Sequence, residues 1–341
     1  MTQVPAPSAR TALIIGATGS FGAHAAQALI KHGWSVRALA RNPEAARAAG
    51  PRTPIDWVRG DAMNTADVLG AARGVQLIVH AANPPAYHDW KNLVLPMVES
   101  SIAAARASGA RLVLPGSVYN YAPDSGAQIA EDAPQAPVTR KGAIRVEVER
   151  RLREVAGEGV RVLILRAGDF FGPAAPKSAL SWLATRRGAR LTGVYQPGPS
   201  EVGHAFAYLP DLAETLARLA DAEDRMGVFE VFHFRGHWLD RNDELGAAIR
   251  RVAGRPRLSV KPFPWAMVWA LAPFVELFRE LYEMRYLWRV PIGLSNRKLT
   301  AFLGAEPHTP LDQALAASLA DMGLLDEARP RPTKALNAAH A

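Results

Sequence analysis

Short apolar runs alternate with helical patterns along the first two-thirds of the chain. The runs are continuous stretches of Val, Ile and Leu, as in TALIIGA at residues 11–17 and VRVLILRAG at residues 160–168. Such strands are buried on both faces, and their alternation with helices is typical of a parallel sheet between two helical layers. The other predicted strands are residues 34–41, 56–61, 76–82 and 111–117, with a further candidate at residues 228–236. The pattern predicts a doubly wound α/β fold.

The strict alternation ends near residue 176, and this divides the chain. Residues 11–176 are predicted to form the main domain. Residues 177–325 are predicted to form a smaller region that caps the substrate side of the sheet, mainly helical because residues 261–323 are rich in Trp, Phe and Leu. We expect residues 1–10 to be a disordered lead and residues 326–341 to be a flexible tail.

Composition narrows the classes of function. The chain of 341 residues contains no cysteine, which excludes disulfides and cysteine-ligated metals. The histidines lack the spacing of a metal site on a helix, so we expect no metal. The net charge is +8, but the arginines are scattered among acids and no nucleic-acid-binding motif is present, so we expect no nucleic-acid partner. The N-terminus MTQVPAPSAR lacks the apolar core of a signal peptide, and we expect a cytoplasmic protein.

The longest apolar stretch is PFPWAMVWALAPFVELF, residues 262–278. It contains three prolines and falls short of the ~20 residues that a membrane-spanning helix needs. We expect a buried or dimer-facing helix and no stable membrane insertion, with contact to a membrane surface as the alternative.

A glycine-rich turn follows the first predicted strand. In GATGSFG, Gly16, Gly19 and Gly22 form the pattern GxxGxxG. The first glycine permits a tight turn, the second lets the backbone approach a pyrophosphate, and the third allows close packing of helix and strand. The N–H groups that begin the next helix favour the anion. This order predicts a Rossmann-type dinucleotide site, to which Gly16, Thr18, Gly19, Ser20, Phe21 and Gly22 contribute.

The end of the second strand distinguishes NADP from NAD. An acidic residue there usually binds the ribose 2′-hydroxyl of NAD, whereas an arginine accommodates the 2′-phosphate of NADP. The segment ALARNP carries Arg41 at that end and no acid. We therefore expect NADP in preference to NAD; a solvated arginine is the alternative interpretation.

Together with GATGSFG, four further motifs follow successive strands: Gly60–Asp61, HAAN at residues 80–83, VYNY at residues 118–121 and LRAGDFFGP at residues 165–173. With them the chain resembles the extended short-chain dehydrogenase/reductase superfamily, of the NAD(P)-dependent epimerase/dehydratase type. The resemblance implies that Asp61 and Ala62 lie against the adenine. It also implies that Ala81 and Ala82 line the path of the cofactor and that Gly168 and Asp169 lie near the nicotinamide.

The catalytic signature of that superfamily is altered here. Its usual catalysts are a Ser or Thr after the fifth strand and a Tyr-x-x-x-Lys pair at the start of the next helix. With the tyrosine of VYNY taken as Tyr119, the Ser/Thr position falls on Pro115, and Ser117 is the nearest hydroxyl. On the helix, Lys141 stands in the position of the tyrosine and Arg145 in that of the lysine.

Helical geometry places Lys141 on the apolar side of this helix. At about 100° per residue, the positions that form one apolar stripe are Ile144, Val148, Leu152 and Val155. Lys141 falls within the stripe and Arg145 lies at its edge. We infer that the first helical turn faces the cleft at the carboxyl edge of the sheet, with a snorkelling lysine as the alternative.

Two hypotheses follow. In the first, the protein is an oxidoreductase or epimerase/dehydratase that acts on a small carbonyl or hydroxyl substrate. Lys141 would serve as general acid or electrostatic stabiliser, Arg145 would bind cofactor ribose or phosphate, and Ser117 and Tyr119 would supply hydroxyls. In the second, it is a non-catalytic NADP-binding sensor or scaffold of the NmrA type, in which Lys141 and Arg145 anchor the cofactor. We favour the enzyme.

The resemblance also implies a homodimer. The superfamily often pairs two long helices from each subunit, and the candidates here are residues 93–107 and 144–155.

Overall fold

The computed structural model describes residues 10–49, 53–84, 88–176, 178–187 and 190–325. At its centre lies a parallel sheet of seven strands, which confirms the predicted doubly wound α/β architecture. The strands of the chain are β1 (Thr11–Ile15), β2 (Ser35–Ala40), β3 (Ile55–Arg59), β4 (Leu77–His80), β5 (Arg111–Ser117), β6 (Val162–Ala167), β7 (Asp169–Phe171), β8 (Ala184–Arg187), β9 (Arg190–Gln196), β10 (His204–Tyr208), β11 (Phe229–His233), β12 (His237–Leu239) and β13 (Ser259–Pro262). The order in the central sheet is β11-β6-β5-β4-β1-β2-β3.

Helices cover both faces of this sheet. The described helices of the chain are α1 (Ser20–Lys31), α2 (Pro43–Ala49), α3 (Thr65–Ala71), α4 (Trp90–Ser108), α5 (Arg140–Gly157), α6 (Ala179–Leu183), α7 (Leu209–Asp221), α8 (Asp243–Val252), α9 (Trp265–Leu271), α10 (Glu276–Glu283), α11 (Arg297–Leu303) and α12 (Leu311–Asp321). Helices α1 and α7 pack on one face, and α3, α4 and α5 pack on the other.

Successive side chains of each central strand enter different cores. In β1, Ile14 packs with α1 and α7, whereas Leu13 and Ile15 pack with the helices of the opposite face. All three are buried. Because side chains alternate across a strand and both faces are covered, the strand is apolar at every position after Thr11.

Two three-stranded sheets build the smaller region. One has the order β12-β10-β7 and the other β13-β9-β8. The chain nevertheless returns to the main sheet, because β11 pairs in parallel with β6 at its edge. Helix α7 likewise packs on α1 in the main layer. Segments beyond residue 177 are therefore built into the central sheet and its helical cover.

We expected the apolar stretch of residues 262–278 to form a buried or dimer-facing helix, but it is not a single helix. It holds the end of β13, the helix α9 and the start of α10, which begins at Glu276. Pro273 lies in the break, where a residue without an N–H cannot continue a helix. Trp269 is 62% exposed and Phe274 is 83% exposed. Within the described residues, no helix is both long and apolar enough to cross a membrane.

The turn after β1 requires glycine at two positions. Gly16 has a φ of +94°, and a Cβ built on it would lie 2.6 Å from the backbone of Ala81. A Cβ on Gly22 would lie 2.3 Å from the carbonyl oxygen of Gly16. Both contacts are with backbone, which cannot rotate away as a side chain would. The first turn of α1 is therefore packed directly on the end of β1.

Gly22→Ala should destabilise the protein, because its methyl group would meet the Gly16 carbonyl. We expect a loss of about 1–3 kcal/mol in the free energy of unfolding, as for other overpacked sites, measured by urea denaturation. The matched control is Gly70→Ala in α3, where a Cβ would meet nothing within 4 Å. It should be neutral or stabilising by up to about 1 kcal/mol. Equal effects of the two substitutions would show that the packing at Gly22 is not tight.

Candidate functional site

The first turn of α1 opens at the carboxyl edge of the sheet. The turn after β1 lies beside the turn after β4, where the Ala81 N–H donates to the Ile15 carbonyl over 2.8 Å. The residue that precedes α1 is Gly19, which has no side chain that could cap the helix. In α5, by contrast, the Thr139 hydroxyl accepts from the Gly142 N–H at 3.0 Å. The N–H groups that begin α1 thus lack a side-chain cap, as an anion-binding helix terminus requires.

Arg41 lies just beyond β2 with an exposed side chain. Arg37, the other arginine of this strand, is turned to the far end of the sheet. Its NH1 donates to the carbonyls of Ala71 and Arg73 over 2.7 and 3.0 Å, and its Nε pairs with Asp56 over 3.2 Å. Of these two arginines, only Arg41 is positioned at the edge where the dinucleotide is expected.

Asp61 and Ala62 lie in the turn after β3 and are half-buried. The Asp61 carboxylate accepts from the Met63 N–H at 2.9 Å, and the Asp61 N–H donates to Asp67 at 2.9 Å. One carboxylate oxygen thus holds the turn, which is the ordinary role of an aspartate at such a position. The other oxygen has no hydrogen bond among those described.

Arg145 lies beside the turn after β4. Its guanidinium lies 4.9 Å from the ring centroid of Trp90, and its NH2 contacts the Asn83 side-chain oxygen at 3.4 Å. Its charge acts on His80, the last residue of β4. Burial is the main cause that lowers the pKa of His80 to about 3, and the charge of Arg145 is the second. The ring is therefore neutral, and its Nδ1 lies 2.8 Å from the Ser101 hydroxyl. Arg145 is therefore held at the edge along which the cofactor is expected to run.

Ser117 and Tyr119 lie where β5 ends. The Ser117 hydroxyl accepts from the Tyr119 N–H at 3.4 Å and caps the short 3-10 turn Val118–Asn120. Both side chains are half-buried. Taking Tyr121 in place of Tyr119 as the tyrosine of the VYNY motif would put Ser117 itself four residues earlier, at the Ser/Thr position.

A buried ion pair ties α5 to the sheet. Arg166 of β6 is 1% exposed, and its Nε and NH2 bond both carboxylate oxygens of Glu149 in α5. Its NH1 donates to the Tyr121 hydroxyl at 2.7 Å and to the His233 Nε2 at 2.9 Å. The His233 Nδ1 is 3.0 Å from the Ile129 carbonyl, so the neutral ring donates there and accepts from Arg166. Burial, reinforced by the charge of Arg166, lowers the pKa of His233 to about 3, in keeping with that neutral ring.

Lys141 is buried, but its ammonium does not lie in an open cleft. The Nζ lies 2.8 Å from the Glu280 carbonyl, 2.7 Å from the Glu280 carboxylate and 3.2 Å from the Glu283 carboxylate. These three acceptors match the three N–H donors of a lysine. Lys141 is buried, as its place in the apolar stripe predicted. The sequence did not indicate its partners, because they lie about 140 residues later in the chain.

Asp169 and His204 form a pair that the sequence did not reveal. The His204 Nε2 is 2.9 Å from the Asp169 carboxylate, and its Nδ1 is 3.1 Å from the Leu287 carbonyl. The ring stacks on Trp288 with 3.6 Å between centroids. Asp169 directly follows Gly168, whose own Cβ would lie 2.4 Å from the Ala205 carbonyl oxygen, so a larger residue there would push β10 away. Pairing of β7 with β10 brings the two residues together, and no local sequence spacing could have indicated it.

One C-terminal segment contacts Lys141, Tyr121 and His204. Residues 276–288, which we call the C-terminal strap, comprise α10 and the 3-10 turn Met284–Trp288. The strap binds Lys141 at the start of α5 through its two glutamates. Its Tyr286 hydroxyl lies 3.4 Å from the Tyr121 carbonyl, and its Leu287 and Trp288 contact His204. The strap therefore closes over the ends of β5 and β7 and the first turn of α5.

Residues 12–233 match the model of the NAD-dependent epimerase/dehydratase family. The chain belongs to this family. The resemblance inferred from the strand-end motifs is thereby confirmed, as is a nicotinamide dinucleotide as the class of cofactor. A Synechocystis sp. protein named "Putative dihydroflavonol 4-reductase" is 27% identical in an alignment 175 residues long that covers 47% of this chain and 49% of that protein. The chain thus spans about half the length of this curated relative.

Solved structures of family members share the fold. MoeE5 in complex with UDP-glucose and NAD superposes with a TM-score of 0.71 at 21% identity, over 91% of this chain and 98% of MoeE5. The UDP-glucuronic acid 4-epimerase from Bacillus cereus, in complex with UDP-glucuronic acid and NAD, gives 0.70 at 17% identity, over 92% of this chain and 98% of that protein. At these identities the likeness shows the fold alone, and it includes the C-terminal region.

Lys141→Ala should destabilise the protein, because it removes a buried partner from two carboxylates that are 11% and 18% exposed. Breaking a buried pair costs about 3–5 kcal/mol, and we expect somewhat less here because Arg140 also pairs with both glutamates. Urea denaturation measures the loss. The control is Arg150→Ala on the exposed face of α5, where surface pairs contribute about 0–1 kcal/mol.

The same pair predicts a pH dependence. Burial opposes ionisation of Glu283, but the Arg140 N–H and the charge of Lys141 prevail and lower its pKa below the ordinary 4.5. A carboxyl group whose pKa is lower in the folded than in the unfolded protein stabilises the fold at pH values above its unfolded pKa. This stabilisation is lost as the pH falls through the folded pKa. The stability difference between wild type and Lys141→Ala should therefore shrink below about pH 4.5. A difference that stays constant there would mean that the ion pair does not cause it.

Proposed function

We propose that the protein is an NAD(P)-dependent oxidoreductase or epimerase for a small, sugar-like substrate that bears a carbonyl or hydroxyl group. The observation that carries this proposal is the glycine turn, from which α1 begins uncapped at the carboxyl edge of a parallel sheet. Family membership supports the nicotinamide cofactor, which when bound accepts or delivers a hydride. The solved relatives that hold UDP-glucose or UDP-glucuronic acid support a sugar-like substrate.

Each predicted site residue has a role in this proposal. Asp61 and Ala62 contact the adenine, Ala81 and Ala82 line the cofactor's path, and Gly168 leaves room near the nicotinamide. Arg145, fixed between Trp90 and Asn83, binds the cofactor's ribose or phosphate. Ser117 and Tyr119 offer hydroxyls to the reacting substrate oxygen.

Lys141 takes a positioning role in place of proton transfer. Its three N–H donors are matched by acceptors of the C-terminal strap, so it would have to release one of them to reach a substrate. It also carries a positive charge at the start of α5, close to where Arg145 acts. We propose that it fixes the strap over the cleft, which helps to exclude water from the reacting groups.

The test is turnover with a panel of carbonyl compounds and nucleotide sugars. Oxidation of NADPH or NADH is followed by absorbance, and epimerisation of UDP-sugars is followed by proton NMR, because an epimerase regenerates its cofactor in each cycle. Ser117→Ala should lower turnover by on the order of 10²–10⁴, the range for loss of an acid/base contact. Ser35→Ala, at the exposed amino end of β2, should leave it unchanged.

One observation favours the non-catalytic alternative. The residue at the position of the family's tyrosine is held by two carboxylates of the chain itself, as expected for a sensor or scaffold that only binds the dinucleotide. Tight cofactor binding by calorimetry, with no turnover of any compound in the panel, would support that function and exclude the enzyme.

We also propose that NADP is preferred to NAD, because Arg41 is exposed at the end of β2 and no acid replaces it. The solved relatives named above hold NAD, so this proposal rests on this chain's own residues alone. Wild type should bind NADPH more tightly than NADH by calorimetry, and Arg41→Asp should reverse or abolish the difference. The control is Arg37→Gln, in the same strand but turned to the far end of the sheet. Equal affinities in the wild type would refute the assignment.

We propose in addition that the protein forms a homodimer through α4 and α5. These helices lie side by side on one face of the sheet and are joined by the Arg151–Glu99 pair, with 2.6 Å between Arg151 Nε and the carboxylate. Their outward sides would form the four-helix contact that the family resemblance implies.

A further inference from the structure

The helix α9 is apolar around its whole circumference and yet lies on the surface. Its sequence WAMVWAL contains no charged residue, and Val268 is its one buried side chain. A helix that is hydrophobic all round is normally enclosed by protein or by lipid. Here five large apolar residues of α9 and of the turn that follows are exposed: Met267 by 48%, Trp269 by 62%, Leu271 by 38%, Phe274 by 83% and Val275 by 39%. We call these five residues the apolar patch.

Basic residues lie at the other end of the strand that leads into α9. A cleft of about 640 Å³ is lined at the starts of β9 and β13 by Arg190, Arg255 and Arg257, together with Thr192 and Ser259, and no acid is among the lining residues that the structure describes. β13 pairs in parallel with β9 and has four residues, so the cleft and α9 are separated by about 13 Å of strand. The exposed Lys261 lies between them.

The geometry points to a peripheral contact with an anionic lipid surface, in which the apolar patch enters the headgroup region and the basic cleft binds lipid phosphates. Trp and Phe with nearby Lys and Arg are the residues that interfacial segments use, and tryptophan is enriched at the boundary between lipid and water. Seven residues make α9 about 10 Å long, which suits insertion to the depth of the headgroups and not a crossing. The contact differs from both functions proposed above and depends on neither.

Charge favours this occupant over a second copy of the chain. A two-fold contact would place the same surface of both copies together. A two-fold contact at the apolar patch would bring in a second copy of the nearby basic cleft, whose described lining residues include three arginines and no acid. A negatively charged bilayer removes this repulsion and attracts the same residues.

Co-sedimentation of the full-length protein with vesicles tests the proposal. Vesicles of phosphatidylcholine are compared with vesicles that also contain phosphatidylglycerol, at low and high salt. We expect binding to the anionic vesicles that weakens with salt, and little binding to phosphatidylcholine alone. Wild type that stays in the supernatant with both vesicle types overturns the proposal.

Two double variants separate the contribution of the apolar patch to vesicle binding from that of the basic cleft. Trp269→Ser with Phe274→Ser should weaken vesicle binding at least about tenfold, since each buried aromatic contributes strongly to transfer from water. Arg190→Gln with Arg257→Gln should remove most of the preference for anionic vesicles. The matched controls are Trp182→Ser, an exposed tryptophan outside the patch, and Arg73→Gln with Arg150→Gln, which removes two charges elsewhere. Binding unaffected by either double variant also overturns the proposal.

Light scattering distinguishes a second copy of the chain at the apolar patch from a lipid surface. If Trp269→Ser with Phe274→Ser converts a dimer into a monomer and the wild type does not bind vesicles, the patch is a contact between copies. Circular dichroism and NADPH affinity should be unchanged in every variant, because the substituted side chains are exposed and lie outside the cofactor site. If the Trp269→Ser with Phe274→Ser variant does not fold, the proposal is decided by the salt dependence of vesicle binding and by the Arg190→Gln with Arg257→Gln variant.

Discussion

The buried guanidinium of Arg166 is the interaction on which the geometry of the candidate site depends. It joins β6 to Glu149 in α5, and through Tyr121 and His233 it also holds the segment after β5 and the edge strand β11. A buried ion pair of this kind contributes little net stability compared with apolar packing, but it is satisfied in only one arrangement. Its effect is to fix the rotation and height of α5 against the sheet. The positions of Lys141 and Arg145 on that helix follow from it.

The C-terminal strap then depends on α5. Because Lys141 is set at the carboxyl edge of the sheet, its ammonium can collect Glu280 and Glu283 from α10. The remainder of the strap follows along the ends of β5 and β7, where Trp288 stacks on His204. Lys141 thus holds the strap against the first turn of α5. In the function proposed above, the glycine turn and Arg145 contact the cofactor, and Lys141 holds the strap that closes the cleft.

The surface around α9 differs from the interior, because large apolar side chains are exposed there. The interior of the chain satisfies its buried charges with partners, as Arg166 and Lys141 show, whereas α9 leaves aromatic side chains without apolar cover. Exposed apolar area of this extent costs free energy in water unless a second surface removes it. The proposed lipid contact of α9 would therefore lie apart from the glycine turn and the strap at the carboxyl edge of the sheet.

The sequence by itself determined the central sheet, its helical cover and the glycine turn. These are local features: continuous apolar strands, the order of strand, glycine turn and helix, and the motifs at successive strand ends are all read within a few residues of one another. It also placed Lys141 in the apolar stripe of α5, because helical periodicity needs only the helix itself. Tertiary structure decided everything that joins distant segments. The glutamates that hold Lys141 and the Asp169–His204 pair arise from contacts between residues far apart in the chain, and so does the pairing of β11, predicted as a strand from its sequence, with β6. It also decided that the apolar stretch of residues 262–278 is broken and exposed, because hydrophobicity alone cannot tell whether the rest of the fold has a surface free to cover it.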